Sequence, residues 1–205
     1  GIQADGWTPL AETAYEAFLY FNGETPKFGS ASNPATNDTG ILDGTVYKKP
    51  EQKKNQNGNS QCELENHLVI LTDGLPTKDG DADSLITGIS GTDCDFDNGE
   101  NCLVDLASYM NSPPDDSGHE KVTTHTIAFD LGDGTSASTE ELWLKSVSDA
   151  GGGMAINSNS HEKLISAIED ILKDVSDTAR TSVSPATSLS SANNYVHDNA
   201  LYYAL

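Results

Sequence analysis

Strand-like and helix-like segments alternate along this chain of 205 residues, and that alternation is the strongest constraint on its fold. Residues 67–71 form an apolar run, residues 122–129 are rich in β-branched side chains, and residues 154–156 form a third, shorter strand-like stretch. Because parallel strands are joined by helical crossovers, the order predicts an α/β protein with a mostly parallel, Rossmann-type sheet flanked by helices.

Local signals in the first half of the chain predict three helices. The first covers residues 8–21, with Thr8 as its N-cap and Pro9 at the first helical position, where a missing N–H costs nothing. Shorter helices are expected at residues 82–89 and 102–110, where apolar residues recur at helical spacing.

Two further helices carry capping signals. Ser138 and Glu141 fit a capping box that opens a helix running to about Ala150, followed by Gly151 as a C′ glycine. Ser160 is the expected N-cap of the final helix. The apolar side chains of that helix fall on one stripe at helical spacing: Leu164, Ile165, Ile168, Ile171, Leu172 and Val175.

Polar segments at residues 22–61 and 77–101 are predicted to be long surface loops inserted between these elements. The composition then shifts to Ser, Thr, Ala and Asn near the C-terminus. We expect residues 1–177 to form one domain and residues 178–205 to be a linker and a strand leading into another module. The chain begins without a Met or a signal peptide and ends on an apolar run, so we expect it to be a fragment.

The chain is strongly acidic, with 32 acidic and 11 basic residues and a formal charge of −21. This charge repels nucleic-acid phosphates and anionic membrane surfaces, so neither is an expected partner. No run of about 18 apolar residues is present that would span a membrane. The acidity suits solubility in a saline or extracellular medium, and part of it can serve to bind cations.

Cysteine usage favours an oxidising compartment. Cys94 and Cys102 lie close together in a polar loop, which favours a short disulfide, with two free thiols as the alternative. Cys62 is left over. There is no C-x-x-C motif, so a zinc site is not expected.

A hydroxyl and a carboxylate, Thr72 and Asp73, directly follow the most apolar strand. In open α/β sheets, ligands bind at the carboxyl ends of the strands, and a hard divalent cation is well matched by oxygen donors placed there. The alternative is that Asp73 caps the following turn and that Thr8 only caps its helix.

Asp93, Asp95 and Asp97 alternate as in a calcium loop. They depart from the EF-hand pattern, because Asn98 replaces its glycine and Val104 its final glutamate. A solvated acidic loop is the favoured interpretation, and a calcium site is the alternative.

Motifs of common enzyme classes are missing, including G-x-S-x-G, H-E-x-x-H, the P-loop and G-x-G-x-x-G. His67 and His125 fall in strands, where packed side chains are expected. We therefore expect a binding protein rather than an enzyme. A metallohydrolase that uses Asp73 is the least favoured alternative.

The run VILTDG, together with G-x-T-P-L at a helix start, resembles a von Willebrand factor A domain. In that family a metal-ion-dependent adhesion site joins three loops, which carry D-x-S-x-S, a Thr and an Asp. Thr8 matches the second loop and Asp73 the third, whereas no D-x-S-x-S precedes Thr8. The resemblance implies that the first strand and first metal motif lie upstream, and that Mg²⁺, Ca²⁺ or Mn²⁺ is the cofactor.

Nearly the whole chain resembles the adhesion domain of type IV pilus tip and biogenesis proteins, the PilC/PilY class. The segments that carry this resemblance are TPLAETAYEAFLYFNG, CELENHLVILTDGLPTKDGDAD, VTTHTIAFDLG and AGGGMAINSNSHEKLISAIEDIL. Residues 178–205 resemble the lead into that family's C-terminal β-propeller.

This resemblance implies a non-enzymatic adhesion module, exported through the bacterial periplasm to the pilus tip or outer-membrane surface. The implied partners are minor pilins or other tip components, and a host or abiotic surface ligand. The alternative is a structural, pilus-priming role without a functional metal site.

Overall fold

The computed structural model describes residues 7–29, 39–50, 66–94, 102–131, 138–180, 186–189 and 197–202. The helices within these ranges are α1 (Leu10–Asn22), α2 (Asp83–Ser90), α3 (Leu103–Asn111), α4 (Thr139–Ala150) and α5 (His161–Arg180). The strands are β1 (Leu42–Asp43), β2 (Val46–Tyr47), β3 (Asn66–Thr72), β4 (Val122–Phe129), β5 (Gly152–Ser158), β6 (Ala186–Leu189) and β7 (His197–Tyr202).

A parallel sheet with the order β3-β4-β5 forms the centre of the fold. Thr72 at the end of β3 pairs in register with Ala128, and Phe129 at the end of β4 pairs with Ser158. The carboxyl ends of all three strands therefore lie at one edge of the sheet. The predicted α/β class, with a parallel sheet flanked by helices, is confirmed at this level.

The larger core lies on the side of the sheet that faces α1, α3 and α4. Helix α4 contacts β4 and β5, α3 contacts α4 and β4, and α1 contacts α3. The hydroxyl of Thr126 on β4 donates to the carbonyl of Leu144 on α4 at 3.0 Å. Fully buried apolar side chains fill this side, including Phe18, Leu103, Leu106, Met110, Val122 and Leu144.

Helix α5 contacts β4 and β5, with Ile127, Ala167 and Ile171 buried between them. Ile127 alternates with the α4-facing Thr126, so α5 covers the opposite face of the sheet. The expected stripe on α5 is only partly buried. Its members Ile165, Ile168 and Leu172 are exposed, the last by 59%.

Strand β3 shows the same partial exposure. Its residues Val69 and Leu71 are 44% and 51% exposed, whereas the intervening Ile70 is buried. Leu71 pairs in register with Ile127, which places it on the α5 face of the sheet. Helix α5 thus covers that face over β4 and β5 and leaves apolar side chains of β3 in contact with solvent.

The glycine run after α4 has a different role from the one expected. Helix α4 ends at Ala150, as predicted, but Gly151 is right-handed at φ −78° and the left-handed residue is Gly152 at φ +68°. The strand that follows is longer than predicted, because it begins at Gly152. A Cβ on Gly151 would lie 2.6 Å from Cβ of Thr124, so the glycines also permit close approach to β4.

The segment predicted as a loop at residues 22–61 contains regular secondary structure at residues 39–47, so the prediction was wrong there. They form a 3₁₀ turn, Thr39–Ile41, followed by the antiparallel pair β1–β2. Tyr47 is buried and its hydroxyl donates to the Glu16 carboxylate, which also accepts from the Phe28 N–H at 2.7 Å. Strands of two residues are too short to produce a detectable alternation.

Near the C-terminus, α5 continues to Arg180, and β6 pairs with β7 in an antiparallel hairpin. The hairpin falls within the segment predicted to be a linker and a strand. Its role as the lead into a further module stays a prediction.

Candidate functional site

Asp73 follows β3 at the carboxyl edge of the sheet, and its side chain is exposed. The preceding Thr72 is buried, and its hydroxyl closes a tight turn. That hydroxyl donates to the Gly74 carbonyl at 2.9 Å and accepts from the Gly74 N–H at 3.3 Å. The hydroxyl after the apolar strand is therefore used locally, whereas the carboxylate is presented at the surface.

Thr8, which matches the second metal-binding loop, is held against the loop that begins with Asp73. The N–H of Thr8 donates to Oγ1 of Thr77 at 2.9 Å, and the N–H of Thr77 donates to the carbonyl of Thr8 at 3.1 Å. These two bonds fix the start of α1 against the loop after β3. Thr8 and Asp73 are thus on two adjoining segments.

The prediction that Thr8 is the N-cap of α1 was wrong. The helix begins at Leu10, and Pro9 in the cap position has no side-chain acceptor. Asp79, which is buried, replaces it: its carboxylate accepts from the N–H of Ala11 at 2.8 Å and from that of Glu12 at 3.3 Å. A negative charge at this position also favours the helix dipole.

Glu12 completes this arrangement by returning a bond to the loop. Its Oε1 accepts from the N–H of Asp81 at 2.9 Å. In an ordinary capping box the two reciprocal side-chain-to-backbone bonds join residues of the same helical turn. Here the loop after β3 provides the partner residues for both bonds. The two segments that carry the predicted ligands are therefore joined by buried, charge-assisted hydrogen bonds.

An exposed aromatic side chain lies next to Thr8. Trp7 is 63% exposed, and Nζ of Lys78 lies 3.7 Å from the centre of its ring, a cation–π contact. Lys78 has φ +52°, an uncommon left-handed conformation for a lysine. Leu75 is exposed nearby in sequence. Trp is among the side chains most enriched among energetically dominant interface residues.

Sequence reasoning missed a second carboxylate at this edge. Asp130 directly follows β4, is exposed, and has φ +57°. Its N–H donates to the carbonyl of Ser158 at the end of β5, at 2.8 Å. The signal that identified Asp73, an acid directly after a buried strand, was also present here.

Thr8 and Asp73 have the hard oxygen donors that Mg²⁺ and Ca²⁺ prefer, but these ions take six or more ligands. Within the described ranges, no group of three or more His, Cys, Asp or Glu side chains is suited to hold a metal ion. The chemistry of the two donors fits a divalent cation, and the rest of its shell has to come from elsewhere.

The disulfide predicted from the cysteine spacing is present. Cys94 and Cys102 are bonded, both are buried, and their Cα atoms are 5.2 Å apart. The bond joins the end of the α2 loop to the start of α3. Asp93 is exposed beside it, whereas Asp95 and Asp97 of the possible calcium loop, and also Cys62, lie outside the described residues.

The fold and the edge described above define a mixed α/β protein with a parallel sheet and polar side chains at its carboxyl end. Comparison with known proteins found no matching protein-family model, curated protein or solved structure. None of the helices in the described part of the chain is long and apolar enough to cross a membrane.

Proposed function

We propose that this chain belongs to a von Willebrand factor A-type adhesion module of a type IV pilus tip protein, and that it binds partners through a divalent cation without acting as an enzyme. One observation carries the proposal. The start of α1, with Thr8, is fixed to the loop after β3, which begins with Asp73. In the von Willebrand factor A pattern the second and third metal-binding loops meet in this way.

The exposed flank of β3 also supports the proposal. Among the described residues β3 pairs only with β4, and its Val69 and Leu71 are exposed on the α5 face. Strand β3 lies at the edge of the described sheet, and an apolar edge strand is suited to pairing with a further strand. An upstream first strand would cover this edge and would carry the D-x-S-x-S loop to the same end of the sheet.

In the proposed mechanism the chain supplies two of the cation's ligands. Asp73 and the Thr8 hydroxyl would hold the ion through their oxygen atoms, and the ion would supply a positive charge that can bind a carboxylate of the partner. Trp7 and Lys78 then contact the partner beside the ion. The partners would be minor pilins or other tip components, or a host or abiotic surface. The buried disulfide is compatible with a protein exported through the periplasm to the cell surface.

Thermal unfolding of this chain with Mg²⁺, Ca²⁺ and Mn²⁺ tests the site. An ion that binds only the native state stabilises it by mass action, by about 2.7 kcal/mol at ~100 times the dissociation constant. We expect the rise in Tm to be lost in Asp73→Ala. It should be retained in Asp116→Ala, a control that removes an equal charge from an exposed turn.

Equal rises in all three proteins would contradict the role of Asp73 and would indicate the acidic loop at Asp93 instead. If none of the proteins responds, the same titration is repeated on the chain extended upstream through its next strand. A response there that Asp73→Ala abolishes would support the proposal.

A structural, pilus-priming part without a functional metal site is the second candidate. The incomplete donor set in the described residues favours it. It predicts that the extended chain also fails to respond to divalent cations, and that Asp73→Ala leaves pilus assembly unchanged.

A further inference from the structure

Two histidines that the adhesion site does not use are stacked within the sheet. His125 on β4 is completely buried, and His67 on β3 is partly buried. Their ring centroids are 5.3 Å apart with planes inclined by 28°, and Nδ1 of His67 lies 3.0 Å from Nε2 of His125. Both residues lie on the α5 face, because they alternate with the α4-facing Thr124 and Thr126.

A third group fixes the hydrogen-bonding pattern of the pair. The backbone N–H of Met154 on β5 donates to Nδ1 of His125 at 3.1 Å. A neutral His125 therefore carries its proton on Nε2, and that N–H donates to Nδ1 of His67. A single chain of hydrogen bonds thus runs from β5 through β4 to β3.

In this series of hydrogen bonds, neither of the accepting histidine nitrogens can take up a further proton without losing its bond. Nδ1 of His125 already faces the Met154 N–H, and Nδ1 of His67 already faces the N–H of His125. A proton added to either nitrogen would place two donors against each other and break that link. The site also has little room to rearrange, because a Cβ on Gly153 would lie 3.1 Å from Cγ of His125.

The surroundings of His125 also disfavour its protonation. Burial and the neighbouring His67 lower the pKa of His125, and the carboxylate of Asp174 on α5 opposes them in part. Among the described residues, His67 on β3 and Asp174 on α5 are the titratable groups that act on His125, and β5 contributes the uncharged backbone of Met154.

We propose that the His67–His125 pair is a pH-sensitive joint, at which proton uptake breaks the β5-to-β4 link and loosens β5 together with α5. Helix α5 is affected because it packs on β5 and β4 through Ile127, Ala167 and Ile171. In a mildly acidic environment α5 would then lose its packing on the sheet and expose apolar surface. This regulatory property is independent of the proposed cation site.

The sign follows from linkage. A histidine whose pKa is lowered in the folded state binds fewer protons there than in the unfolded chain. Its contribution to stability is complete above the ordinary histidine pKa of about 6.5 and is lost as the pH falls through that value toward the lower, folded pKa. For a single linked proton, the opening equilibrium changes by at most about tenfold per pH unit.

Amide hydrogen exchange between pH 7.5 and 5 tests the joint, after correction for the intrinsic exchange rate. We expect the protection of residues 152–158 and of α5 to fall by up to about tenfold per pH unit below the ordinary histidine pKa. His161→Asn, which removes a histidine from the exposed start of α5, should behave like the unmutated chain.

His125→Asn is the decisive variant. The asparagine oxygen can replace Nδ1 as the acceptor for Met154 but does not titrate. Its protection of β5 and α5 should lack the histidine-range pH dependence, and retention of that dependence would overturn the proposal. An NMR titration of His125 in the unmutated chain tests the joint even where the variant does not fold. The proposal fails if His125 titrates while the protection of β5 stays constant.

Discussion

Adding a single methyl group at Gly153 tests how closely β5 passes β4. A Cβ built there would lie 2.2 Å from the carbonyl oxygen of Thr124 and 2.7 Å from its carbonyl carbon. These are backbone atoms of the central strand. They cannot withdraw without disturbing the pairing of Thr124 with Leu68 on β3. The Gly153→Ala substitution therefore forces two strands apart.

The expected cost follows from that geometry. Overpacking typically costs about 1–3 kcal/mol where the neighbouring side chains can shift. Because the neighbour here is backbone, we expect Gly153→Ala to cost about 3 kcal/mol or more. For a protein of this size about 1 kcal/mol corresponds to ~2–4 °C, so Tm should fall by about 6–12 °C.

Gly88→Ala is the matched control. Gly88 lies in α2, is exposed, and has nothing within 4 Å of the position of an added Cβ. Alanine is the better helix former by about 1 kcal/mol, so this variant should be more stable. Urea unfolding with a common m-value gives both free energies of unfolding. A Gly153→Ala protein within about 0.5 kcal/mol of the unmutated chain would refute the close approach of β5 to β4.

Three further perturbations test other contacts. Asp79→Ala removes the buried cap of α1 and should cost about 2 kcal/mol in urea unfolding, whereas the exposed Asp81→Ala should change stability by less than about 0.5 kcal/mol. Reduction of the Cys94–Cys102 disulfide should cost about 2.5 kcal/mol from loop entropy, and a double Ser variant should show the same Tm with and without reductant. Tyr47→Phe removes a hydroxyl donor to a carboxylate on α1 and should cost about 1–2 kcal/mol; an unchanged Tm would contradict that bond.

Elements with a strong local signal could be predicted from the sequence. The capping box of α4 is present, with the Ser138 hydroxyl accepting from the Glu141 N–H at 3.2 Å and the Ser138 N–H donating back at 3.1 Å. Ser160 also caps α5, where its hydroxyl accepts from the Lys163 N–H at 3.3 Å. These interactions connect residues three apart, so the pattern that predicts them lies within one short window.

Contacts between distant segments could not be predicted in the same way. The N–H of Ala11 at the start of α1 bonds to Asp79, 68 residues away in the chain, whereas the local sequence pattern favours Thr8 as the cap. The sequence did show several acids after β3. Nothing in their spacing indicated that one of them would be buried against a helix terminus rather than exposed to cations.

The predicted adhesion site shows the same division between local and long-range information. The position of Asp73 at the carboxyl edge follows from the local pattern of an apolar strand that ends in a polar turn. That Thr8 adjoins the same loop depends on its bonds with Thr77 and on the buried cap, which are long-range. Asp130 was overlooked although the same local pattern, an acid directly after a buried strand, is present at the end of β4.

The exposed apolar residues give the sharpest difference between pattern and packing. Periodicity places Ile165, Ile168 and Leu172 on one apolar stripe of α5, but burial depends on what lies opposite each side chain. These three are exposed, whereas Ile171 packs on the sheet. Leu71 of β3 is exposed on that same face. Apolar area that remains exposed to solvent does not contribute the stabilisation of about 25 cal/mol per Å² that burial would give. Both exposed rows are therefore apolar by sequence but lack a packing partner among the described residues, which periodicity alone does not reveal.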